Sequence, residues 1–387
     1  MSMNKPESKK LLQRVEIDRS ALTHNIQQFR RLIGKKRMFL ATVKANAYGH
    51  GIVEVSQIAV DAGVDWLGVQ SLEEGILLRE KGFTRPILVL GYVPFEGLKE
   101  AIARELRLTV YNFETLSRLA QACRKLRKNA NLHLKIETGT YRQGITEEDV
   151  LSFAQKVKEF PELVLEGISS HFANIEDTTD HSYAQYQLDT FKRVLGMLEK
   201  NKIEIPLKHM SCSASAILFP DTYFDMVRAG ISMYGLWPSK ETFLSCRLQN
   251  REPLLLRPVL SWKTRIAQVK KVPRGAFVGY GCTYRASRET ILAVIPVGYY
   301  DGYDRRLSNS SYVLVKGRRA PLRGRVCMDF ILADVTDIPG VDMEEDVVLL
   351  GKDGEESITA NDLASLVGTI NYEIVTRINP LVPRLII

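Results

Sequence analysis

Eight short apolar runs alternate with helix-like stretches between about residues 38 and 232, and this alternation restricts the fold more than any other feature of the chain. Strands that are separated by helices pair in parallel, because the helix returns the chain to the same edge of the sheet. Eight such units match a (β/α)8 barrel, and the count favours a closed barrel over an open doubly wound sheet. The runs lie at 38–44, 66–70, 87–91, 106–112, 132–137, 166–172, 207–213 and 224–231.

The texture of the sequence changes after about residue 240, where β-rich segments are bounded by Gly, Pro and Asp turns. The 387 residues leave room for a second domain beside the barrel. We therefore predict an α/β chain with a barrel over 15–240 and a mainly β domain over 241–387, with residues 1–14 flexible or packed on it. The VEID run (15–18) fits either domain, and Asn361 is expected to cap the one late helix.

Composition excludes several classes of protein. The net charge is +8, but the basic residues are dispersed among acidic ones, which argues against a nucleic-acid role and favours a small anionic ligand. No apolar run is long enough to span a membrane, and the charged N-terminus lacks the apolar segment of a secretory signal. The five cysteines never occur in a CxxC spacing, which indicates reduced thiols, a cytoplasmic location and no metal site.

The first barrel run ends on a lysine, in the stretch LATVKANAYGHGI (40–52). Active sites of (β/α)8 barrels lie at the carboxyl ends of the strands, where this chain also places Lys135, His171, 209–213 and 228–231. A lysine walled by apolar side chains has a lowered pKa, and its neutral amine can form a Schiff base with an aldehyde cofactor. On the strand pattern alone, an equal alternative is a lysine that reaches the rim and pairs with a carboxylate.

The motif VKANAYGHG (43–51) resembles the pyridoxal phosphate lysine signature of alanine racemases, a family of cofactor-dependent isomerases. The lysine motif alone recurs in related decarboxylases, but the resemblance continues in order through both predicted domains. The further matching motifs are VEIDRSALTHNI, KIETGTYRQG, GISSHF, HMSCSASAILFP, MVRAGISMYGLWPS, VGYGCTY, PVGYYDGY and GRVCMD, followed by NYE and VPR near the C-terminus.

The resemblance implies a racemase that interconverts L- and D-alanine for peptidoglycan synthesis, with pyridoxal 5'-phosphate held in a Schiff base on Lys44. Two bases act on opposite faces of the substrate, Lys44 on one and Tyr280 on the other, and Tyr280 reaches the site of the neighbouring subunit of a homodimer. The implied cofactor-binding residues are Lys44, Tyr48, His171, Ser213, Arg228, Gly230, Ile231 and Tyr372. The implied substrate residues are Arg142 and Met328, with Tyr299, Tyr372 and Asp329 shaping the entrance and Lys135 as a candidate for carbamylation.

Arg228 decides what kind of pyridoxal phosphate enzyme the resemblance implies. It is expected to face the pyridine nitrogen, and a guanidinium donates a hydrogen bond without readily giving up its proton. The ring nitrogen then stays unprotonated, which favours removal and return of the α-proton over transamination. We also expect His171 and Arg228 together to provide a positive network that acidifies Tyr280.

Four positions depart from the family pattern, namely Glu137, Tyr141, Cys212 and Gly279. None removes a catalytic group, but Glu137 and Tyr141 stand near Arg142 and make the preference for alanine less secure than the type of reaction. A racemase of serine or larger amino acids is therefore the first alternative. A barrel-type decarboxylase is disfavoured because the chain has no GGG phosphate loop and places Arg228 at the ring nitrogen. A single-domain cofactor carrier is disfavoured by the second domain.

Overall fold

A computed structural model of the protein describes residues 10–387. Their contacts divide the chain into two compact units. One comprises 21–47 and 56–257, and is called the barrel unit below. The other, the β unit, contains 258–387 together with 48–55 and 10–20. The ranges expected from the sequence, 15–240 and 241–387, remain a prediction for the domains.

The first strand, β1 (Arg14–Ile17), belongs to the β unit. The VEID run, which the sequence could assign to either domain, therefore lies with the β unit. Strand β1 pairs antiparallel with a strand at 260–265 and parallel with one at 384–386. Just before it, Leu12 accepts a hydrogen bond from Thr264, and Gln13 donates to Pro296 and Asp301. Residues 12–14 are thus packed on the β unit, whereas the expectation for 1–9 lies outside the described residues.

The barrel unit is built on a sheet of eight parallel strands, which confirms the predicted fold class. All eight apolar runs form strands. The sheet closes where Asp225 donates its N–H to the carbonyl of Lys208 (3.0 Å) and Arg228 donates to Ser211 (3.3 Å). The strands are β2 (Met38–Thr42), β3 (Trp66–Val69), β4 (Ile87–Val89), β5 (Arg107–Val110), β6 (Ala130–Lys135), β7 (Leu163–Ser169), β8 (Leu207–His209) and β9 (Met226–Ala229).

Helices follow the barrel strands and cover their apolar outer faces. Ser71 caps its helix as predicted, because its side chain accepts from the N–H of Glu74 at 3.3 Å. Asn112 stands at an N-cap position without a side-chain bond. The helices are α1 (Arg19–Ile33), α2 (Ile52–Asp61), α3 (Leu72–Glu80), α4 (Leu98–Ala103), α5 (Phe113–Leu126), α6 (Val150–Lys158), α7 (Ser182–Lys200), α8 (Ser213–Leu218) and α9 (Lys240–Leu248).

Large apolar side chains fill the lower part of the barrel. Leu40, Trp66, Leu88 and Met226 come from four different strands and form one buried cluster, with Leu90 and Leu207 packed against it. Side chains that point inward from alternate strands fill a barrel of eight strands completely, so its interior is a core and not a channel. The polar side chains of the site therefore stand above an apolar floor.

The β unit holds a seven-stranded sheet beside a three-stranded sheet and a hairpin. The strands of the seven-stranded sheet lie in the order 318–321, 312–315, 346–353, 260–265, 14–17 and 384–386, with 356–358 paired to 346–353. Its two helices are α10 (Ala360–Val367) and α11 (Asn371–Thr376). Its further strands are β10 (Leu260–Arg265), β11 (Gln268–Val272), β12 (Phe277–Val278), β13 (Tyr284–Arg285), β14 (Thr290–Ile295), β15 (Tyr312–Val315), β16 (Arg318–Pro321), β17 (Ile331–Asp334), β18 (Asp346–Asp353), β19 (Glu356–Ile358) and β20 (Arg384–Ile386).

The prediction that Asn361 caps the late helix is wrong. The cap is Thr359, whose hydroxyl accepts from the N–H of Asp362 while the Asp362 carboxylate accepts from the N–H of Thr359. This reciprocal pair satisfies two N–H groups at once, which a cap at Asn361 cannot do. Over residues 10–387, no helix combines the length and the apolar character that crossing a membrane requires.

Candidate active site

Lys44 follows directly on the first barrel strand and opens a left-handed turn. Ala45, Asn46, Ala47 and Tyr48 have φ values of 54°, 52°, 52° and 53°. The left-handed conformation costs about 1–2 kcal/mol for each residue that carries a Cβ. Four consecutive residues in it therefore need strong local support, and such strain concentrates at functional sites.

Buried hydrogen bonds supply that support. Val43 donates to the carbonyl of Gly68 and accepts from Ala47, both at 2.8 Å. The carboxylate of Glu74 accepts from the N–H of Asn46 at 3.2 Å and from Gln70 at 2.8 Å. The sequence analysis did not identify Glu74. Its position in the first helical turn after the Ser71 cap, close to the end of a barrel strand, could have indicated it. Its carboxylate ties the lysine turn to α3 and fixes the backbone of Lys44.

The Lys44 amine is poorly solvated. Burial lowers its pKa, the charge of Arg142 lowers it further, and the opposing effect of Glu74 is larger than the additional lowering by Arg228. A lowered pKa increases the fraction of neutral amine at neutral pH, which is the nucleophilic and basic form. The rim ion pair that the sequence left open is not formed, since none of the described carboxylates lies within salt-bridge distance of Lys44.

Arg228 lies buried at the end of β9 and is held by five hydrogen bonds. Nη1 donates to Nδ1 and to the carbonyl of His209, at 2.8 and 3.0 Å. Nη2 donates to the carbonyls of Ser170 and Met210 and to Nδ1 of His171, at 2.9, 3.0 and 3.2 Å. Burial lowers the pKa of Arg228 to about 10, so the guanidinium is still charged at neutral pH. Within the described chain Nε has no acceptor, which leaves one charged donor for a ligand.

His171 differs from the expectation that it adds positive charge. Burial and the neighbouring Arg228 hold its pKa well below the usual value, so the ring is neutral at neutral pH. A guanidinium can only donate, hence Nδ1 of His171 accepts from Arg228 and the ring proton lies on Nε2. The predicted positive network is therefore wrong for His171, which instead presents a neutral N–H donor.

A second group of donors surrounds the start of α8. The Gly230 N–H donates to the hydroxyl of Ser213 at 2.9 Å, and both residues are buried. Ile231 follows at the first position of a short 3-10 helix, where an N–H has no partner within the helix. Cys212 precedes Ser213, and its N–H donates to Ser215 at 2.8 Å. Backbone N–H groups and a hydroxyl that converge in this way can hold an anion such as a phosphate.

Lys135 and Arg142 add positive charge at the ends of β6 and its loop. Burial, followed by Arg228 and Arg142, holds the pKa of Lys135 well below its usual value. Glu137 accepts N–H groups from the loop after it, including Gly139 and Thr140 at 2.6 Å and Arg142 at 3.3 Å. Its carboxylate thus organises the Arg142 backbone, which gives this departure from the family pattern a structural role.

The remaining predicted residues lie in the β unit, and they form two groups. The rings of Tyr48 and Tyr372 are 6.0 Å apart. Beside Tyr48, Gly49 has φ +81° and lies so close to α11 that a Cβ would stand 1.9 Å from the carbonyl oxygen of Val375. This contact explains one of the two glycines behind the lysine, since no other residue fits there.

The second group surrounds Tyr280, which is 72% exposed on a turn between Gly279 and Gly281 with φ values of +73° and +74°. In the same unit, a backbone hydrogen bond joins the loops of Tyr299 and Met328. The N–H of Tyr299 donates to the carbonyl of Cys327 at 3.0 Å. Met328 is 54% exposed and Tyr299 43%, and Asp329 is also exposed. The turn of Tyr280 and the loops of Met328 and Tyr299 thus expose several large side chains on the β unit.

The barrel unit thus brings Lys44, Lys135, Arg142, His171 and Arg228 into one electrostatic network at the carboxyl ends of its strands. The fold and this network define a barrel enzyme with a desolvated lysine of lowered pKa, a charged donor without an acceptor and a group of donors suited to an anion. His209 also belongs to this network, because its ring accepts a hydrogen bond from Arg228. Sequence reasoning placed it at a strand end but gave it no role.

Comparison with known proteins identifies the family within that class. The family model for the N-terminal domain of alanine racemase matches residues 17–238, and the model for the C-terminal domain matches residues 259–386. The chain belongs to the alanine racemase family. It is 44% identical to the alanine racemase of Halothermothrix orenii over 95% of each chain.

Solved structures support the same conclusion. An alanine racemase from Clostridium difficile 630 superposes with a TM-score of 0.90 at 33% identity, over 97% of this chain and 96% of the other. A histidine racemase from Leuconostoc mesenteroides subsp. sake also superposes, with a TM-score of 0.88 at 28% identity, over 97% and 98% of the two chains. The chain thus belongs to a family of isomerases.

Acid should destabilise this protein through its buried histidines. Burial lowers the pKa values of His133, His171 and His209, so the unfolded chain binds protons below about pH 6.5 that the folded chain does not. The free energy of unfolding is therefore expected to fall by about 2–4 kcal/mol between pH 7.0 and 5.5. Urea titrations at both pH values measure it. His209→Gln should reduce the slope, and equal stability at both pH values would contradict the account.

Proposed function

We propose that this protein interconverts L- and D-alanine with pyridoxal 5'-phosphate as its cofactor. The observation that carries the proposal is the desolvated Lys44 amine in the same electrostatic network as Arg228, whose Nε has no acceptor among the described residues. Membership of the alanine racemase family supports the reaction type and the substrate.

The residues present fit this cofactor. A pyridine nitrogen is an acceptor that suits the charged Nε–H of Arg228. A phosphate suits the N–H of Ile231 and the hydroxyl of Ser213, which the Gly230 N–H holds in place. The resemblance also assigns Tyr48 and Tyr372 to the phosphate, and that assignment stays a prediction. When bound, pyridoxal phosphate supplies an aldehyde that condenses with amines and an electron-withdrawing ring that acidifies the α-proton of an amino acid.

Lys44 holds the cofactor between turnovers and moves a proton at the substrate Cα during turnover. Its lowered pKa makes the free amine a competent base near neutral pH. The left-handed turn and the bonds of Glu74 and Val43 fix its backbone, so the amine meets one face of Cα only. A base on one face can remove a proton and return it, but it cannot invert the centre alone.

Tyr280 of a second copy of the chain is the proposed base for the opposite face. Its exposure on a glycine-bounded turn supports this role, because a side chain that serves a neighbouring subunit must leave its own. The Nε2–H of His171 is a neutral donor that suits a phenolate oxygen. The homodimer that this arrangement requires, the cytoplasmic location and the supply of D-alanine to peptidoglycan stay predictions.

Substrate recognition is assigned to positive charge and to restricted space. Arg142 supplies a guanidinium for the substrate carboxylate, and Glu137 positions its backbone. Met328 of the partner subunit is the proposed contact to the substrate side chain, and Tyr299 and Asp329 are proposed to shape the entrance. Lys135 is buried, and the positive charges of Arg228 and Arg142 act on its amine. Its lowered pKa favours the neutral amine that carbamylation requires. A carbamate there adds a negative charge where positive groups gather.

A racemase with a larger substrate is the second candidate. The observation that favours it is the superposition on a histidine racemase over 97% of this chain. Tyr141, which is 86% exposed with φ +51°, stands directly before Arg142 and adds a bulky side chain where the family is usually small. A shifted Arg142 backbone could then accept a longer amino acid.

Chiral chromatography distinguishes the candidates. Purified protein with pyridoxal phosphate is incubated separately with L-alanine, L-serine and L-histidine, and both enantiomers and carbon dioxide are followed. The proposal predicts D-alanine as the fastest product without carbon dioxide. Faster formation of D-histidine or D-serine would establish the second candidate, and release of carbon dioxide would indicate a decarboxylase.

A further inference from the structure

A chain of buried hydrogen bonds runs from Arg228 through the barrel interior, away from the proposed cofactor. Nη1 of Arg228 contacts Nδ1 of His209 at 2.8 Å, and Nε2 of His209 contacts Nδ1 of His133 at 2.8 Å. Nε2 of His133 then contacts the carboxylate of Glu166 at 3.3 Å. His209 and His133 are almost fully buried, with 1% and 0% exposure. Neither His133 nor Glu166 has a place in the proton transfers described above.

The direction of every bond in this chain is determined by its two ends. Arg228 can only donate, so Nδ1 of His209 must accept and the ring proton must lie on Nε2. That proton is donated to Nδ1 of His133, whose own proton therefore lies on its Nε2. An ionised carboxylate can only accept, and Glu166 terminates the chain. Burial lowers the pKa values of both histidines, which keeps the rings neutral as this pattern requires.

Local backbone features place Glu166 at the end of the chain. The pairing of β6 with β7 shifts by one residue between Leu132 and His133, so that Glu166 is an extra residue on β7. Such a bulge re-aims a side chain, here toward His133. The next residue, Gly167, leaves room for the His133 ring, since a Cβ at Gly167 would stand 2.3 Å from Nδ1.

The surroundings restrict His133 and Glu166 further. The ring of Trp66 packs edge-on against His133 with centroids 5.5 Å apart, and the guanidinium of Arg107 lies over Trp66. Arg107 also pairs with Glu166 at 3.4 Å. Both contacts are made to the same carboxylate oxygen, Oε2, which is thus held by the ion pair with Arg107 and by His133. The pKa of Glu166 is lowered by His133 and Arg107, which outweigh its burial.

We propose that His133 and Glu166 are positioning residues for the reaction: they hold His209 with its proton on Nε2, so that Nδ1 keeps Arg228 in the orientation that leaves Nε for the cofactor. This inference rests on the proposed function. Without an acceptor at residue 166, the buried Nε2–H of His133 has no partner, and the His133 ring can turn away from His209. His209 keeps its tautomer, because Arg228 can only donate, but its ring is no longer held on the far side, and its bond to Arg228 weakens.

The test compares Glu166→Leu with Glu166→Gln and Arg107→Gln in the protein loaded with pyridoxal phosphate. The leucine variant removes the acceptor, the glutamine variant keeps an acceptor oxygen, and Arg107→Gln removes only the ion pair. We expect Glu166→Leu to lower kcat about tenfold, the equivalent of one hydrogen bond, with KM changed less than about twofold. Glu166→Gln and Arg107→Gln should remain within about twofold of the wild type in both constants.

Nuclear magnetic resonance of protein with isotope-labelled histidine reads the tautomers directly, independently of turnover. The wild type should carry the ring protons of His133 and His209 on Nε2. Glu166→Leu should keep these tautomers but weaken the hydrogen bond between the two rings, so that the Nε2 proton resonance of His209 moves upfield. If Glu166→Leu does not fold, His133→Phe breaks the same chain one link earlier and should change His209 and kcat in the same way.

An unchanged Nε2 proton resonance of His209 and an unchanged kcat in Glu166→Leu or His133→Phe would overturn the positioning role while the proposed function stands. A wild type that racemises no amino acid would overturn the proposed function, and the positioning role with it, whatever the tautomers are. A loss of kcat that Glu166→Gln does not rescue, with His209 unchanged, would show that Glu166 acts through its charge and would also overturn the proposal.

Discussion

Tyr280→Phe is expected to lower kcat for alanine racemisation by about 10²–10⁴-fold, because it removes the base on one face of the substrate. The phenylalanine ring keeps the shape of the exposed turn, so folding and cofactor binding should be unaffected. Racemisation is measured from both enantiomers by chiral chromatography, and bound cofactor by its absorbance. Tyr312→Phe, which removes a hydroxyl elsewhere in the β unit, is the control and should keep its activity.

Deuterium exchange separates loss of one base from general damage. In deuterium oxide, Tyr280→Phe should still exchange the α-proton of one enantiomer of alanine, because Lys44 serves that face, and should not exchange the other. Exchange of both enantiomers at wild-type rates without racemisation would contradict the assignment of Tyr280. Loss of exchange with both would show that Tyr280 is needed for binding rather than for proton transfer.

Lys44→Ala is expected to abolish turnover, because it removes the amine that holds the cofactor and the base on the other face. The effect should exceed that of Tyr280→Phe. Borohydride reduction followed by peptide mass spectrometry provides an independent measurement. In the wild type the cofactor should become linked to the peptide that contains Lys44, and in Lys44→Ala to none. Lys36→Ala, at an exposed lysine close in sequence, should label as the wild type does.

Mixing the two inactive variants tests whether the site is shared between subunits. A heterodimer of Lys44→Ala and Tyr280→Phe contains one site with both native bases and one site with neither. Random association produces heterodimers as half of all dimers, so about a quarter of the wild-type activity should return. No recovery after subunit exchange would contradict a site built from Lys44 of one subunit and Tyr280 of its partner.

The barrel could be predicted from the sequence because its signals are local. Each strand is a short apolar run, and each connecting helix has its own periodicity, so the eight runs were found without knowledge of their partners. The placement of β1 could not be predicted, because the VEID run pairs with β10 and β20, which lie more than two hundred residues away. Asn361 was misassigned because several residues near the start of α10 can serve as caps, and Thr359 forms two bonds instead of one.

The sequence predicted which residues form the candidate site better than it predicted their protonation states. Lys44 and Arg228 were found from their positions at strand ends and from the family motifs. The neutrality of His171 was missed because it depends on burial and on Arg228, neither of which the local sequence reports. The left-handed turn after Lys44 was also missed, because Ala45 and Ala47 have no preference for positive φ and adopt it only under the hydrogen bonds around them.

The measurement that tests the central claim most directly is racemisation of L-alanine by the wild-type protein in deuterium oxide, with the isotope content of each enantiomer followed from the first turnovers. Two bases on opposite faces predict D-alanine that carries deuterium at Cα, since the incoming proton comes from a group in exchange with solvent. D-alanine that retains the original proton would contradict the account, because a single base would then have carried that proton from one face to the other.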